Sequence, residues 1–306
     1  MKEIIEKITS QMNQVILGKE REVRMVLTCL LAKGHLLIED IPGVGKTTLA
    51  QALAKTMGLS YSRIQFTSDL LPADILGTSI FDRETQTFRF HAGPLFDQMV
   101  LADELNRATP RTQSALLEAM EERQVSVDGI THPLPVPFFV IATQNQRYHV
   151  GTFPIPESQL DRFLMRIHLG YPDHHSERRL LIGETRGDIL KRLEPMIGTD
   201  ILLRMQTEVP KVHVSDGLLD YVQDIIAHSR SGSHHYLGLS PRAGIALVHA
   251  AQAWAIMEGR DMVLPEDVQA VAGNVLEHRL DPEGSKVKRN GNPASEQLIK
   301  LVAVNT

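Results

Sequence analysis

A glycine-rich segment at residues 40–47 reads Asp-Ile-Pro-Gly-Val-Gly-Lys-Thr and directly follows a short apolar run. Backbone N–H groups in such a loop, and at the start of a helix behind it, face and bind phosphate groups. Gly43 and Gly45 let the backbone approach a phosphate closely. Lys46 can bridge the β- and γ-phosphates, and the Thr47 hydroxyl can ligate Mg²⁺. The segment therefore predicts a site for a nucleoside triphosphate and Mg²⁺. The predicted nucleotide contacts are Pro42, Gly43, Val44, Gly45, Lys46, Thr47 and Thr48.

The segment departs from the usual phosphate-loop pattern at its first position, where Asp40 stands in place of a glycine. The alternative interpretation is an ordinary Gly-Pro turn between two elements. An apolar strand before the loop and a helix-forming stretch after it, at residues 48–55, are the context in which such a motif binds phosphate. That context favours the phosphate-binding interpretation.

Two adjacent carboxylates, Asp103 and Glu104, end another apolar run at residues 99–102. Ligands of a parallel sheet bind at the carboxyl ends of its strands, which would put both side chains beside the glycine-rich loop. Phosphoryl transfer to water needs a group near Mg²⁺ and a group that orients or deprotonates the water. Asp103, acting through a water molecule, suits the first role and Glu104 the second. The alternative is a strand end that only meets solvent.

Asn145 follows a third apolar run, at residues 140–144, and could hold the attacking water or the γ-phosphate. A strand-terminating Asn in a turn is the alternative, since Asn is common there. The two preceding motifs favour the functional interpretation.

Three arginines are candidates for contacts with the γ-phosphate. Arg162 follows a proline-containing loop and could reach the nucleotide of a neighbouring subunit as an arginine finger. Its alternative is an ion pair with Asp161 or another carboxylate, and Arg166 competes for the same role. Arg242, at the second position of a predicted helix, could reach back to the nucleotide from a helical domain. Its alternative is a solvated or helix-packing arginine.

Length, charge and cysteine content narrow the class of protein. The chain has 306 residues, enough for two domains, with 42% hydrophobic and 23% charged residues. A net charge of −5 argues against a dedicated nucleic-acid binder. No apolar run approaches the roughly 18 residues of a membrane span, and the amino terminus has no apolar signal region. The single cysteine, Cys29, excludes an intramolecular disulfide and fits a reducing compartment. The cytoplasm is the expected location.

Five short apolar segments alternate with helical stretches, which predicts an α/β fold with a mostly parallel sheet covered on both faces. The predicted strands are residues 35–38, 61–66, 99–102, 136–142 and 165–169. Helical patterns precede them over residues 1–31, with a break near Gly18. Two excursions, residues 79–90 and 124–133, are predicted to be hairpins, the second from its Asp-Gly turn.

The strand pattern stops near residue 172, and helical patterns replace it. The predicted organisation is therefore an α/β nucleotide-binding core with two inserted hairpins at residues 1–172 and a small all-helical lid domain at 173–280. The stretch 281–306, rich in Pro, Gly, Asn and Lys, is predicted to be a flexible tail.

Taken in order, these motifs resemble those of the P-loop AAA+ ATPases, and within them the MoxR family. The resemblance covers about residues 5–280, and its most distinctive block is residues 103–108 continuing through 113–120. Segments 141–145 and 159–163 add to it. The correspondences are residues 43–47 with Walker A, Asp103 and Glu104 with Walker B, Asn145 with sensor 1, Arg162 with the arginine finger, and Arg242 with sensor 2.

The resemblance implies further properties. It implies that Val15, Ile16 and Gly18 line the adenine pocket. It implies ATP hydrolysis at sites between the subunits of a homo-oligomeric ring, usually a hexamer, and a chaperone-like role. The expected clients are partner proteins, including ones with a von Willebrand factor A (VWA) domain, and some family members assist metal insertion or complex assembly.

Two other functions keep the same fold. One is a helicase-like motor that remodels nucleic acid, which basic hairpins would favour. The hairpin at residues 124–133 contains Asp128 and no Lys or Arg, and the one at residues 79–90 has Arg83 and Arg89 against Asp82 and Glu84, so a nucleic-acid partner is not expected. The other is a non-hydrolysing nucleotide-dependent scaffold, against which the presence of Lys46, Asp103 and Glu104 argues. Neither alternative involves direct insertion into a membrane.

Overall fold

A computed structural model describes residues 1–145, 151–231, 238–281 and 293–303. Its centre is a five-stranded parallel sheet with the strand order β2-β5-β8-β1-β9. The strands are β1 Leu36–Glu39, β2 Tyr61–Gln65, β5 Met99–Asp103, β8 Phe139–Gln144 and β9 Met165–Ile167. The predicted parallel α/β sheet is confirmed, and each predicted strand overlaps an observed one.

Both faces of this sheet are buried. Successive residues of a strand point to opposite faces, so each strand contributes side chains to both sides. In β5, Met99 and Leu101 join one apolar cluster while Val100 and Ala102 join the other. The helices that cover the sheet are α1 Lys2–Val15, α2 Glu20–Leu31, α3 Lys46–Thr56, α4 Pro72–Leu76, α5 Pro110–Glu122 and α6 Glu157–Leu160. The predicted break between the first two helices falls at Gly18, which adopts a left-handed backbone with φ of 66°.

Two antiparallel hairpins project from the core, as the sequence predicts. The first pairs β3 Gly77–Asp82 with β4 Thr87–Ala92, and the second pairs β6 Gln124–Val127 with β7 Ile130–Pro133. The two hairpins contact each other through stacked rings of Phe90 and His132, whose centroids are 3.9 Å apart. The first hairpin also exposes apolar side chains. These are Ile80, Phe81 and Phe88.

After β9 the described chain is helical apart from short loops and one isolated bridge. The helices are α7 His174–Ile182, α8 Arg186–Arg192, α9 Thr199–Glu208, α10 Asp216–Arg230, α11 Pro241–Met257, α12 Pro265–Leu280 and α13 Ala294–Leu301. Ser215 and Ser240 cap α10 and α11, each accepting a backbone N–H three residues later. None of the described helices is both long enough and apolar enough to cross a bilayer.

The prediction of a flexible tail at 281–306 is wrong for residues 293–303. This segment contains α13, whose Ala294 and Leu298 are buried against the other helices of the lid. The Glu277 carboxylate also accepts the backbone N–H groups of Ala294 at 3.1 Å and Ser295 at 2.9 Å. Burial of an apolar helix face and an anchored helix start therefore outweigh the polar composition. Residues 282–292 and 304–306 lie outside the described part of the chain.

We use the name lid for α10–α13, a narrower range than the predicted lid domain, and these helices contact the core through α11 and α12. Arg279 donates to the Asp161 carboxylate at 2.6 Å and to the backbone oxygens of Phe163 at 2.9 Å and Leu164 at 3.2 Å. His278 donates from Nε2 to the Phe163 oxygen at 3.1 Å. Burial lowers the pKa of His278 well below its usual value, so this ring is neutral and fixed as one tautomer. The lid is thus hydrogen-bonded to the segment that carries Arg162.

Candidate active site

The phosphate loop connects β1 to α3 through two glycines in left-handed conformations. Gly43 has φ of 86°, and Gly45, the residue that precedes α3, has φ of 99°. A Cβ atom built on either glycine would meet no other atom within 4 Å. The positive φ angles therefore account for the glycines, and the space beside the backbone is open to a ligand. That open cradle at a helix N-terminus fits a phosphate chain.

Lys46 is the first residue of α3 and is buried at the base of this loop. Its Nζ donates to the backbone oxygen of Asp40 at 2.7 Å and to Oδ1 of Asn145 at 3.2 Å. Burial lowers the pKa of Lys46, and the charges of Asp40, Asp103 and Glu104 act in the opposite direction. A buried ammonium group among carboxylates and oxygens is placed to receive a phosphate oxygen.

Asp103 ends β5 and is held on both of its carboxylate oxygens. Oδ1 accepts the Thr143 hydroxyl at 2.7 Å, and Oδ2 accepts Nη2 of Arg63 at 2.7 Å. The same Thr143 hydroxyl accepts the backbone N–H of Glu104 at 2.8 Å. Because β5 and β8 are neighbours in the sheet, Thr143 on β8 fixes both acidic residues.

Glu104 sits in a left-handed conformation, with φ of 58°, where β5 turns into a short 3₁₀ helix. Its Oε1 accepts Nδ2 of Asn145 at 3.2 Å. Its Oε2 accepts Nε2 of Gln65 at 3.0 Å and Nη1 of Arg107 at 2.8 Å. Three donors thus hold the carboxylate that the sequence predicts to act on water.

These side chains surround one cavity of about 590 Å³, which we call the phosphate-loop cavity. Its lining includes nine of the residues predicted from sequence. They are Pro42, Gly43, Gly45, Lys46, Thr47, Thr48, Asp103, Glu104 and Asn145. Thr47 and Asp103 supply the hydroxyl and carboxylate oxygens that suit Mg²⁺. The remaining lining residues are Arg63, Gln65 and Arg107.

Sequence reasoning assigned no role to Arg63, Gln65 or Arg107. Arg63 and Gln65 lie on β2, where only the alternation of a strand marks them, and their neighbour β5 is 34 or more residues away in the chain. Arg107 lies three residues after Glu104, so its spacing did place it one turn from the acidic pair. Strand order, which the sequence does not state directly, brings the first two into the cavity.

The departure at Asp40 has a structural reason. Its Oδ2 accepts the backbone N–H groups of Leu169 and Gly170, each at 2.6 Å, and its Oδ1 accepts that of Ile41 at 2.8 Å. Asp40 does not adopt a positive φ, so no glycine is needed at this position. The carboxylate instead ties the phosphate loop to the chain that leaves β9.

The segment predicted to line the adenine pocket packs against the chain between β9 and α7. A Cβ built on Gly18 would come within 2.4 Å of both Oδ2 of Asp173 and Oγ of Ser176. Nearby, Lys19 donates to the backbone oxygen of Tyr171 at 2.9 Å. Gly18 therefore permits close packing against the start of α7. Val15, Ile16 and Gly18 do not line the phosphate-loop cavity, and neither does Val44. Their contact with adenine stays a prediction.

Arg162 and Arg242 lie together in a second cavity of about 250 Å³, which we call the arginine cavity. Both arginines contact Glu121 on α5, Arg162 from Nη2 at 2.9 Å and Arg242 from Nη2 at 2.6 Å. Neither arginine lines the phosphate-loop cavity. Arg166, the competing candidate, is buried on β9 and pairs with Glu39 at 2.9 Å.

That Arg242 reaches back to the nucleotide stays a prediction, because this structure places it in the arginine cavity and not in the phosphate-loop cavity. Its helix, α11, packs against α2 and α12, and α12 is bound to residues 161–164. This docking holds the start of α11 beside Arg162. The Asp161 carboxylate, a suggested partner of Arg162, instead receives Arg279.

Comparisons with known proteins agree with the motifs. The ATPase family associated with various cellular activities (AAA) matches residues 35–165, and the AAA lid domain matches residues 228–299. Chaperone MoxR1 of Mycobacterium tuberculosis (strain ATCC 25618 / H37Rv) is 40% identical over 285 residues, which cover 90% of this chain and 75% of that protein. Protein MoxR of Paracoccus denitrificans is 33% identical, covering 88% of this chain and 86% of its own length.

Two further relatives extend the likeness. An uncharacterised protein, YeaC of Bacillus subtilis (strain 168), is 46% identical over 277 residues, 90% of this chain and 87% of that protein. A crystal structure of a proposed ATPase from Cytophaga hutchinsonii ATCC 33406 superposes with a TM-score of 0.87 at 35% identity. That superposition covers 100% of this chain and 96% of the other.

Proposed function

Because this chain belongs to the MoxR family of AAA+ ATPases, we propose that it hydrolyses ATP with Mg²⁺ and uses the energy to remodel partner proteins. One observation carries the enzymatic part of this proposal. Lys46, Asp103, Glu104 and Asn145, which come from three loops or strand ends, converge on a single cavity beside an open glycine cradle.

The residues of the phosphate-loop cavity that the sequence singled out would each have a role in this reaction. The backbone of the loop and the Lys46 ammonium would hold the phosphate chain. Thr47 and, through a water molecule, Asp103 would hold Mg²⁺, which when bound neutralises charge on the phosphate oxygens. Glu104 would take a proton from the attacking water. Nδ2 of Asn145, 3.2 Å from Oε1 of Glu104, would hold the carboxylate in place for this step.

The site is completed, in this proposal, by the next subunit of a homo-oligomeric ring, with a hexamer as the expected size. Arg162 and Arg242 lie outside the phosphate-loop cavity of their own chain. An arginine finger stabilises the charge of the transition state and can be supplied by a neighbouring subunit, so these two would act on a neighbour's nucleotide. ATP would therefore bind between subunits.

The hairpins are proposed to contact the client. Ile80, Phe81 and Phe88 expose apolar surface on the first hairpin, and exposed apolar groups are typical of protein-binding surfaces. Nucleic acid would call for Lys and Arg at these positions. Protein clients, including ones with a VWA domain, are therefore favoured, and MoxR1 carries the name of a chaperone. Metal insertion or complex assembly, in the cytoplasm, would be specific uses of such remodelling.

A Glu104→Gln variant tests the enzymatic assignment. Gln keeps the shape and can still accept a hydrogen bond, but it cannot take a proton. We expect ATP binding to be retained and turnover to fall by roughly 10²–10⁴-fold, the usual contribution of a general base. The measurements are Mg²⁺-dependent phosphate release and binding of a fluorescent ATP analogue.

The matched control is Glu118→Gln, which changes an exposed glutamate on α5 in the same way. Undiminished turnover in Glu104→Gln would reject Glu104 as the base. Wild-type protein without Mg²⁺-dependent hydrolysis would favour the scaffold function instead. A salt-sensitive rise of hydrolysis on adding DNA would favour a nucleic-acid motor. In ATP, the Glu104→Gln protein should also retain client proteins in a pull-down.

A further inference from the structure

One carboxylate, that of Glu121, binds both arginines of the arginine cavity. Its Oε2 accepts Nη2 of Arg162 at 2.9 Å, and its Oε1 accepts Nη2 of Arg242 at 2.6 Å. Each oxygen thus serves one guanidinium group, so the two groups are held side by side at a spacing set by a single side chain. Glu121 lies near the carboxyl end of α5 and is part of neither the phosphate-loop cavity nor the client-facing hairpins.

The two arginines belong to different parts of the molecule. Arg162 precedes β9 in the core, and Arg242 is the second residue of α11 in the lid. Arg162 is fixed further by a bond from Nη1 to the backbone oxygen of Leu117 at 2.7 Å. Arg242 is the more exposed of the pair. Glu121 therefore determines where the lid arginine stands relative to the core arginine.

The cavity around them is strongly electropositive, although the chain as a whole carries a net charge of −5. Among the residues that the structure describes, its lining contains five Lys or Arg side chains and two carboxylates. The cations are Lys33, Arg123, Arg162, Arg242 and Arg279. Of the carboxylates, Asp161 is already paired with Arg279 at 2.6 Å. An excess of cations in a concave surface attracts an anion, and the phosphate chain of a nucleotide is such an anion.

We propose that Glu121 is a positioning residue that holds Arg162 and Arg242 together for the nucleotide of the neighbouring subunit. This inference rests on the proposed function, because it requires both arginines to act across a subunit boundary. Two guanidinium groups that bind the two oxygens of one carboxylate are close enough to repel each other. The negative charge of the Glu121 carboxylate between them offsets this repulsion. With Glu121 present, the pair is preorganised before the nucleotide arrives, which is how fixed charges contribute most to a transition state.

The competing explanation is an ordinary surface ion pair. Exposed pairs of this kind contribute little to stability, and their removal leaves catalysis unchanged. The two explanations differ in one respect. A positioning role affects the catalytic rate of the neighbouring subunit, whereas a surface ion pair affects neither subunit's rate.

The first experiment compares Glu121→Gln with Glu122→Gln, a change at the adjacent, exposed glutamate of the same helix. We expect Glu121→Gln to lower kcat for ATP about tenfold, since small errors in the position of reacting groups cost one to two orders of magnitude. KM for ATP and the ring mass, measured by light scattering with a non-hydrolysable analogue, should stay within about twofold. Glu122→Gln should behave as wild type. A wild-type kcat in Glu121→Gln would overturn the inference.

The second experiment asks on which nucleotide Glu121 acts. Glu121→Gln subunits retain their phosphate loop, and Lys46→Ala subunits retain their arginine cavity, so mixed rings contain junctions where both halves are intact. We expect the kcat per intact phosphate loop to rise in the mixture compared with Glu121→Gln alone. An unchanged kcat would mean that Glu121 acts within its own subunit, which contradicts the inference.

A third comparison separates failure of the inference from failure of the proposed function. If Arg162→Ala and Arg242→Ala lower hydrolysis but Glu121→Gln does not, only the role of Glu121 is rejected. If neither arginine variant lowers hydrolysis, the proposal of action across a subunit boundary fails, and the inference fails with it. Adding Glu121→Gln to the Arg162→Ala, Arg242→Ala double variant should change kcat less than twofold, because no arginine remains to be positioned.

Discussion

The phosphate-loop cavity and the arginine cavity differ in how their charges are matched. In the first, Lys46, Arg63 and Arg107 stand among two carboxylates and Asn145, and the residues that could bind and activate water are all present. In the second, the described lining has five cations against two carboxylates, compared with three against two in the first, and Glu121 is already bound by two arginines. The first contains the side chains proposed to start a reaction, while the second has the larger excess of cations and suits an anion.

The two cavities also differ in which parts of the chain build them. Every described residue that lines the phosphate-loop cavity lies between Pro42 and Asn145, within the core. The arginine cavity combines core residues such as Arg162 with lid residues such as Arg242. A change in the angle between core and lid would therefore distort the arginine cavity and leave the phosphate-loop cavity intact. This difference suggests that the lid controls hydrolysis through the arginines rather than through nucleotide binding.

The largest expected effect comes from Arg162→Ala. Removing the arginine should lower kcat for ATP by on the order of 10³-fold, the lower end of the range for arginine fingers. ATP binding to dissociated subunits should not change, because Arg162 does not line the phosphate-loop cavity. Steady-state hydrolysis and binding of a fluorescent ATP analogue measure the two quantities.

Lys46→Ala is the matched comparison, since it should abolish binding itself. Mixing the two variants should restore part of the hydrolysis, because some junctions then combine an intact phosphate loop with an intact Arg162. If Arg162→Ala weakened binding to dissociated subunits as much as Lys46→Ala does, the distinction between the two cavities would be lost.

Most of the residues of the phosphate-loop cavity could be predicted from the sequence, because they lie close together in short segments of the chain. Residues 43–47 and the pair Asp103 and Glu104 each lie within a few positions, next to apolar strands that can be recognised by composition. The positions of Arg63 and Gln65 depended on β2 pairing with β5, which no local pattern specifies.

The arginine cavity was harder to predict, because its geometry depends on how the lid docks. Arg162 and Arg242 were both recognised as candidates, but the contact of each with Glu121 joins segments 41 and 121 residues apart. The error at α13 has a related cause. A polar stretch was expected to be flexible, but Leu298 is buried and Glu277 anchors the helix start.

An intermediate effect is expected for Arg279→Ala, which tests the docking of the lid. Arg279 is largely buried, and its removal takes away the donor that Oδ1 of Asp161 and the backbone oxygens of Phe163 and Leu164 share. We expect the free energy of unfolding to fall by about 3 kcal/mol, as for other broken buried ion pairs. Denaturant unfolding followed by circular dichroism measures it.

The control is Arg111→Ala at an exposed position of α5, which should change the free energy of unfolding by less than about 0.5 kcal/mol. Under conditions where Arg279→Ala remains folded, ATP should still bind while hydrolysis falls, because only the arginine cavity is distorted. Equal loss of binding and hydrolysis would show that the lid also shapes the phosphate-loop cavity.

The smallest expected effect is that of Gln65→Ala, which acts within the phosphate-loop cavity alone. Gln65 donates to Oε2 of Glu104 at 3.0 Å, and Arg107 donates to the same oxygen at 2.8 Å. Removing one of these donors frees the carboxylate to turn toward water. We expect basal hydrolysis to rise about threefold, which corresponds to the lower end of the net contribution of a typical hydrogen bond. Gln124→Ala, on an exposed hairpin strand, is the control and should match wild type.

The rise should disappear in an Arg162→Ala background if the arginines of the neighbour remain necessary for turnover. A fall in hydrolysis would instead mean that Gln65 keeps Glu104 in its productive orientation, and that the phosphate-loop cavity is already arranged for reaction before the second cavity meets it.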